Sequence, residues 1–439
     1  MTRNNARCFF NIIVLTLMLI LNQAASAKSE AISNADGWSA NFNGHARTMV
    51  ESYRNYEFGL AEIDDDAWVH QRVQAMLSLD YVHRFTWVTE LSWGDMWGRH
   101  SPLGPPDRDE GDILQLYAQA RLNIAGGSPV LIRAGRQTLY YGSGRLLSKR
   151  EGANQQLAHD ALLFSWQQSS EGLRVDAFVA SPVETKRGLF DNTSHADQTL
   201  FWSLYAVMPS PWHKESSLDL YYIGLQDEDS IFAPDGGHEL RHSVGIRWWD
   251  ETGPWIRNTE AVLQFGKIQE RNIFAGAFSF GMGRVISAAP LKPTLMLRAD
   301  VISGGDDEGT VHTFHPLFQA NNYFNEGGFI SPTNLYNINP VLILQPHSRL
   351  SITLGVNFQW RFSADDAIYA PPLQPLDQSS AKHESSRYLG TAFNAAVTWQ
   401  VIERAEISLG CTHHEAGASL AAVGGRDVDY FQAAFRLIF

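Results

Sequence analysis

The last nine residues constrain the chain most. Counting back by twos from the C-terminus, Phe439, Leu437, Phe435, Ala433 and Phe431 are all apolar, while Arg436, Gln432 and Tyr430 fall on the other face. A strand turns successive side chains to opposite faces, so this segment carries one unbroken oily face. A final strand of that kind, ending on an aromatic residue, is what closes a barrel in a membrane. The rest of the sequence has to agree with it.

The N-terminus does. Arg3 and Arg7 precede an apolar run from Phe9 to Leu21, and Ala25-Ser26-Ala27 follows. A charged region, a greasy region and a small-residue cleavage site make residues 1–27 a secretory signal. The run is short for a membrane span of roughly 20 residues. Cys8 leaves with the signal, so Cys411 is alone in the mature chain and no internal disulfide forms. Residues 28–439 are expected to form a single barrel domain. The length of 439 residues would suit two or three soluble domains, yet no Pro- or Ser-rich linker divides the chain. A net charge of −13 argues against nucleic acid as a partner. Mean hydropathy is slightly negative at −0.21, as expected where one face of every strand is wet.

From Trp38 onward, segments of about ten residues alternate apolar and polar rather than following helical spacing. Residues 38–50 set Ala40, Phe42, Ala46, Thr48 and Val50 against Asn41, Asn43, His45 and Arg47. Residues 67–79 and 82–94 follow the same rule, and 114–123 shows it most clearly, with Leu114, Leu116, Ala118, Ala120 and Leu122 against Gln115, Tyr117, Gln119, Arg121 and Asn123. Further strands are expected near 129–137, 160–168, 172–182, 198–209, 215–225, 240–250, 256–267, 271–286, 293–302, 333–345, 349–362, 387–400, 404–414 and 428–439, for a total of about eighteen. Alternation is blurred in 160–168, 271–286 and 333–345. Pro340 should sit where a ladder bond is missing, and Cys411 should face outward.

The connections sort themselves. Short ones (at Asp80, 125–128, 169–171, 210–214, 251–255, 287–292, 346–348 and 401–403) alternate with mostly long ones (51–66, 95–111, 138–159, 183–197, 226–239, 303–332, 363–386 and 415–427). Only 268–270 is short on the long side. Short periplasmic turns and long external loops are the mark of an all-β, antiparallel, up-and-down transmembrane barrel in the outer membrane of a Gram-negative cell. Trp38, Trp166, Trp248, Trp255 and Trp399 lie near the short turns, and Trp93, Trp202 and Trp360 near the long loops, as two aromatic girdles would.

In this register Arg47, Arg72, Arg84, Arg121, Arg133, Arg174, Arg241, Arg247, Arg298 and Arg361 face the lumen, against fewer carboxylates: Glu90, Asp176, Glu260, Asp300 and Glu406. The long loops are acidic. A barrel of this size leaves an aqueous channel. Arginines at a narrow place favour anions and fork onto carboxylates. The other reading is that they pair with wall carboxylates and hold the lumen's shape. No Gly-x-Ser-x-Gly elbow, His-Glu-x-x-His or Cys-x-x-Cys is present, no cofactor is implied, and His413-His414 make a poor metal pair because neighbours on a strand point apart.

Two segments resemble the outer-membrane alginate-export porin family. One is Gly135-Arg136-Gln137-Thr-Leu-Tyr-Tyr-Gly142-Ser-Gly144-Arg145-Leu-Leu, followed by Arg150-Glu151. The other is Ser303-Gly-Gly-Asp306-Asp307, then Thr313-Phe-His-Pro316-Leu-Phe, Asn322-Tyr-Phe and Ser331-Pro-Thr-Asn334-Leu. The resemblance implies a monomeric eighteen-stranded barrel with an arginine-rich constriction. It also implies passive export of a polyuronate such as alginate, with outer-membrane lipid, lipopolysaccharide and periplasmic export-complex proteins as partners. By it, Arg136, Arg145 and Arg150 belong to a segment that folds into or over the pore. The family's late periplasmic plug loop has no counterpart here, since 346–348 and 401–403 are short. A general or small-anion uptake porin is the second reading, and a barrel enzyme acting on lipid the third. We expect the mature protein to begin at Lys28. Intact-mass analysis of protein extracted from outer membranes tests this, and a retained Met1–Ala27 overturns the signal assignment.

Overall fold

The computed structural model describes residues 32–33 and 37–439, apart from 62–64, 124–127, 169–171, 214, 231–235, 306, 308 and 377–385. The expected signal therefore lies outside the described residues. Eighteen antiparallel strands form the wall: β1 (Trp38–Arg54), β2 (Asp66–Tyr81), β3 (Phe85–Trp97), β4 (Asp109–Asn123), β5 (Pro129–Gln137), β6 (His159–Gln167), β7 (Arg174–Glu184), β8 (Thr199–Pro209), β9 (Ser217–Ser230), β10 (Gly237–Asp250), β11 (Trp255–Ile268), β12 (Arg271–Val285), β13 (Thr294–Ile302), β14 (Leu335–His347), β15 (Leu350–Arg361), β16 (Tyr388–Ile402), β17 (Ala405–Ala416) and β18 (Val428–Ile438). Each pairs with the next, and β18 returns to β1 along ten residue pairs from His45–Ile438 to Arg54–Asp429. Mutual bonds between Gly44 and Phe439 (2.8 and 2.9 Å) finish the seam. The greasy C-terminal face thus closes a complete barrel.

Alternation builds the wall's two faces. On β11, Leu263 and Phe265 are exposed outward, while Val262 and Gln264 are buried inside. Cys411 is exposed on the outer face. The β14–β15 ladder skips Asn339 and Pro340, which accommodates the proline's missing donor without shifting the register. One expectation is corrected. The β3–β4 register slips between Glu90 and Leu91, and this bulge turns Leu114 inward against Ala158 and Val183.

The blurred strands have a shared cause. Leu163 of β6, Ile273 and Ala275 of β12, and Leu335 and Val341 of β14 point inward yet are apolar and buried. The loops that follow β5 and β13 do not stay outside. They turn into the lumen, and Leu139, Leu146, Leu147, Phe314 and Leu317 pack on Leu163, Phe178, Phe201, Ile223, Val262 and Ile302 of the wall. A wall strand covered by lipid on one side and by an infolded loop on the other is apolar on both, and period-2 contrast fades. A second apolar cluster (Phe58, Phe329, Ile330, Ile368, Leu389, Leu420 and Val428) gathers the remaining loops over the long-loop end.

The outer face predicts its own test. Leu263→Arg places a charge on the lipid side of β11 and should cost about 2–4 kcal/mol in a vesicle refolding equilibrium. A change near zero would mean that this face does not meet hydrocarbon.

Candidate functional site: a lumen narrowed by two loops

The infolded segments, 138–158 and 303–334, are zipped to each other. Ser148 donates its backbone N–H to the Phe318 carbonyl (2.9 Å), Phe318 donates to Leu146 (2.8 Å), and Ala320 donates to Gly144 (3.2 Å). Gly142 and Gly144 adopt φ of 61° and 74°, which lets the chain turn sharply off the end of β5. Gly94 makes the room. A Cβ there would lie 2.4 Å from Gln155 Nε2 and 2.9 Å from Asn154 Nδ2, so a larger residue would displace these two side chains from the wall.

Arginines pin the zipped pair to the seam side of the barrel. In cross-strand register, Glu406 of β17, Arg436 of β18, Arg47 of β1, Arg72 of β2 and Gly94 of β3 form one row. Arg47 donates to the carbonyls of Glu151 (2.9 Å) and Ala153 (3.1 Å). Arg72 donates to the same two carbonyls (3.1 and 2.9 Å) and to Glu151 Oε1 (2.6 Å). Lys149 adds a 2.9 Å contact to Glu151. Burial by itself would raise the Glu151 carboxyl's pKa, but Arg72 and Lys149 outweigh it and hold the group down at about 2. Arg150 donates to the Gln319 carbonyl (3.2 Å), so it joins the two loops, and burial lowers its pKa to about 10.

The space left beside this latch is a polar cavity of about 380 Å³. It runs along β17, β18, β1 and β2, from Glu406, Ser408 and Arg436 near the short turns to Tyr56, Arg99 and Asp107 at the long-loop end. Charges of both signs line it, and pairing decides which are left to act. Asp107 is paired with Arg99 (2.8 Å) and Glu151 with Arg72, while Glu51 lies 3.0 Å from His70 and accepts hydrogen bonds from Trp68 and Tyr430 (2.8 and 2.7 Å). Arg47 and Arg150 donate to neutral backbone carbonyls, and no ion pair within 4 Å involves either among the described residues. The Arg436 side chain has no hydrogen-bond or ion-pair partner among the described residues, and its Nε is buried. Glu326 and Glu406 are the lining carboxylates without a cation partner among the described residues.

A second polar cavity of about 370 Å³ lies below the zipped loops on the far side, lined by Arg145, Arg257, Arg298, Asp300, Tyr323 and Asn339 among others. Asn322 borders both cavities. Arg145 sits 3.4 Å from Glu260 and over the Tyr323 ring at 5.8 Å. Carboxylates here accept from tyrosines: Tyr141 donates to Asp176, Tyr205 to Asp219, Tyr221 to Glu260 and Tyr323 to Asp300, at 2.6–3.1 Å. Strand β10 is nine strands from β1, so the arginine row and this tyrosine–carboxylate wall face each other across the lumen.

The predicted residues are therefore dispersed. Arg47, Arg72 and Arg150 come together at the latch, and Arg145 and Arg298 at the second cavity. Arg133 is held by Gln119 (2.7 Å) over the Tyr117 ring at 4.5 Å. Arg247 is held by Asp219 (3.1 Å) and Asn258 (2.9 Å). Arg121 is exposed near the short-turn end. Arg361 is fully buried among the outer loops, donating to the Ala364, Asp366 and Ser386 carbonyls. Arg136 belongs to β5 itself rather than to the infolding segment, and its partner Asp160 lies 3.0 Å away. Arg436 and Arg99, which also line the main cavity, were not singled out as pathway residues. Arg436 stood on the polar face of the last strand, so the signal was present. Its alignment with Arg47 comes from the barrel's closure.

A family model described as alginate export matches residues 39–434. The chain belongs to the alginate-export family. Among solved structures, this family member is similar to OccK2 (OpdF) of Pseudomonas aeruginosa in complex with glucuronate, at 11% identity and a TM-score of 0.60, covering 91% of this chain and 98% of that one. It is similar also to OccAB1 of Acinetobacter baumannii (12%, TM-score 0.61, 94% and 99% covered) and to P. aeruginosa OpdK with vanillate (11%, TM-score 0.59, 91% and 98% covered). No curated protein matches the sequence. The family and the shared fold make this an outer-membrane porin-type barrel.

The latch is pH-dependent in a defined direction. Glu151's pKa is depressed in the folded state, so its contribution is present above the ordinary carboxylate range and is lost as pH falls through about 2. Bilayer recordings of this alginate-export family member should show steady current at pH 5–7, with rising loop noise as pH drops toward 2. Glu151→Gln should produce that noise at neutral pH. Equally quiet currents throughout would remove Glu151 from the latch.

Proposed function

We propose that the channel passively exports an anionic polysaccharide, a polyuronate such as alginate, along the cavity beside the β18–β1 seam. The observation that carries this reading is the set of lining cations that form no ion pair among the described residues: Arg436, Arg47 and Arg150. A guanidinium can bind a carboxylate through two parallel hydrogen bonds, and successive arginines along a narrow path pass a charged polymer from one to the next. Binding at each must stay weak enough for release. Arg47 serves twice, holding the loop through its donors and facing the cavity with its charge. Membership of the alginate-export family supports the polymer. The structure of OccK2, a barrel of similar fold, in complex with glucuronate supports a uronic acid as the repeating unit.

Small-anion uptake is the second reading, favoured by the narrowness of the path. A cavity of about 380 Å³ suits one or two sugar rings at a time. A polymer has to thread it in single file, whereas a monomer has only to fit. Periplasmic export proteins would serve the first reading and have no place in the second.

Single-channel conductance in planar bilayers separates the two, with polymannuronate or polyguluronate titrated from the periplasmic side. The export reading expects an anion-selective channel blocked by the polymer, with block weakened at least about tenfold in Arg436→Glu, since reversing one charge at a desolvated contact costs over 1.4 kcal/mol. Free glucuronate should compete only weakly. A channel indifferent to polymer but saturated by glucuronate sinks export and leaves uptake.

A further inference from the structure

One depression lies outside the lumen. It is an apolar groove of about 740 Å³ on the outer wall, crossing β12 to β16. Leu297, Pro340, Leu354, Val356 and Phe393 line it. Pro340 and Val356 are shorter than the Phe280, Phe393 and Trp255 around them, which leaves the hollow. Its volume is within the range of small-molecule clefts, and an apolar hollow on a lipid-facing wall is filled by hydrocarbon.

One end of the groove is charged. Trp255 opens β11 and Arg284 lies one residue before the end of β12, so both are at the short-turn rim. The Arg284 guanidinium rests over the Trp255 ring at 4.8 Å. It makes no ion pair or hydrogen bond with the described residues and is exposed. The two turns beneath the groove add Lys292 and Arg349, both exposed. These turns are tied together, since Gln345 donates its backbone N–H to the Leu291 carbonyl at 2.7 Å. An apolar trough thus ends in a cationic rim at headgroup depth, with an interfacial tryptophan between them.

We propose that this groove binds one phospholipid of the periplasmic leaflet, its acyl chain along Leu297, Pro340 and Val356 and its phosphate on Arg284. The occupant is a phospholipid because the rim donates to an anion at the same depth at which the trough accepts hydrocarbon. The anionic headgroup of phosphatidylglycerol fits the three cations better than a zwitterionic one. The path through the lumen has no part in this site.

Native mass spectrometry of the full barrel, delipidated in detergent and titrated with dioleoyl phosphatidylglycerol or dioleoyl phosphatidylcholine, tests it. Wild type should retain one phosphatidylglycerol in preference to phosphatidylcholine. Arg284→Ala should lower that retention about fivefold, as expected for loss of one cation near an anionic headgroup, and Arg284→Lys should restore part of it. Val356→Trp fills the trough from the outside and should abolish the adduct. Circular dichroism and unchanged conductance confirm that each variant is a folded barrel. Adducts distributed evenly over many lipids without headgroup preference, or retention unaltered in both Arg284→Ala and Val356→Trp, overturn the site.

Discussion

Every backbone N–H and C=O at membrane depth needs a partner, because hydrocarbon offers none and each orphan costs several kcal/mol. That requirement closes the sheet. β18 must return to β1, and the return fixes which residues stand side by side across the seam. The row of Arg436, Arg47 and Arg72 is a by-product of closure. Like charges on adjacent strands repel, and the row persists because the Glu151 and Ala153 carbonyls, with the Glu151 carboxylate, converge on it. The wall assembles a cationic surface that it cannot satisfy alone, and the infolded loop supplies the acceptors.

Two kinds of packing share the lumen. Against β6 to β13 the zipped loops bury apolar side chains as a soluble core would. Against β17 to β2 they leave a wet passage lined by charge. The asymmetry follows from where the loops originate, since both leave the wall on the apolar side and meet the seam strands through contacts that include those of Arg47 and Arg72 with Glu151 and Ala153 and of Tyr53 with the Gly327 carbonyl. The channel is narrow because a barrel of eighteen strands is partly refilled by its own loops.

The sequence disclosed the wall well because strand periodicity and loop sorting are local signals. Alternation located all eighteen strands, with most ends within a few residues. The C-terminal face at Phe431–Phe439 announced closure. Leu114 was misassigned because a bulge breaks parity without a mark in composition. The site was less legible. Arg133 and Arg121 share a polar face with Arg47, yet only the loop's path decides that Arg47 meets the cavity. Arg361 and Arg72 are equally buried, but one holds outer loops and the other the latch. The role of Arg436 depends on partners nearly 400 positions away in the chain. Such pairings arise from tertiary register, which spacing in one strand does not encode.

The seam has a consequence for assembly. Arg436, one of the cations lining the main cavity, stands on β18, and its partner strand is the first in the wall. Sealing the wall and completing the conduit are therefore one event. A barrel arrested with β18 undocked has an open edge facing lipid and lacks one wall of its main cavity. Maturation then has no stage at which the membrane is sealed around an incomplete conduit.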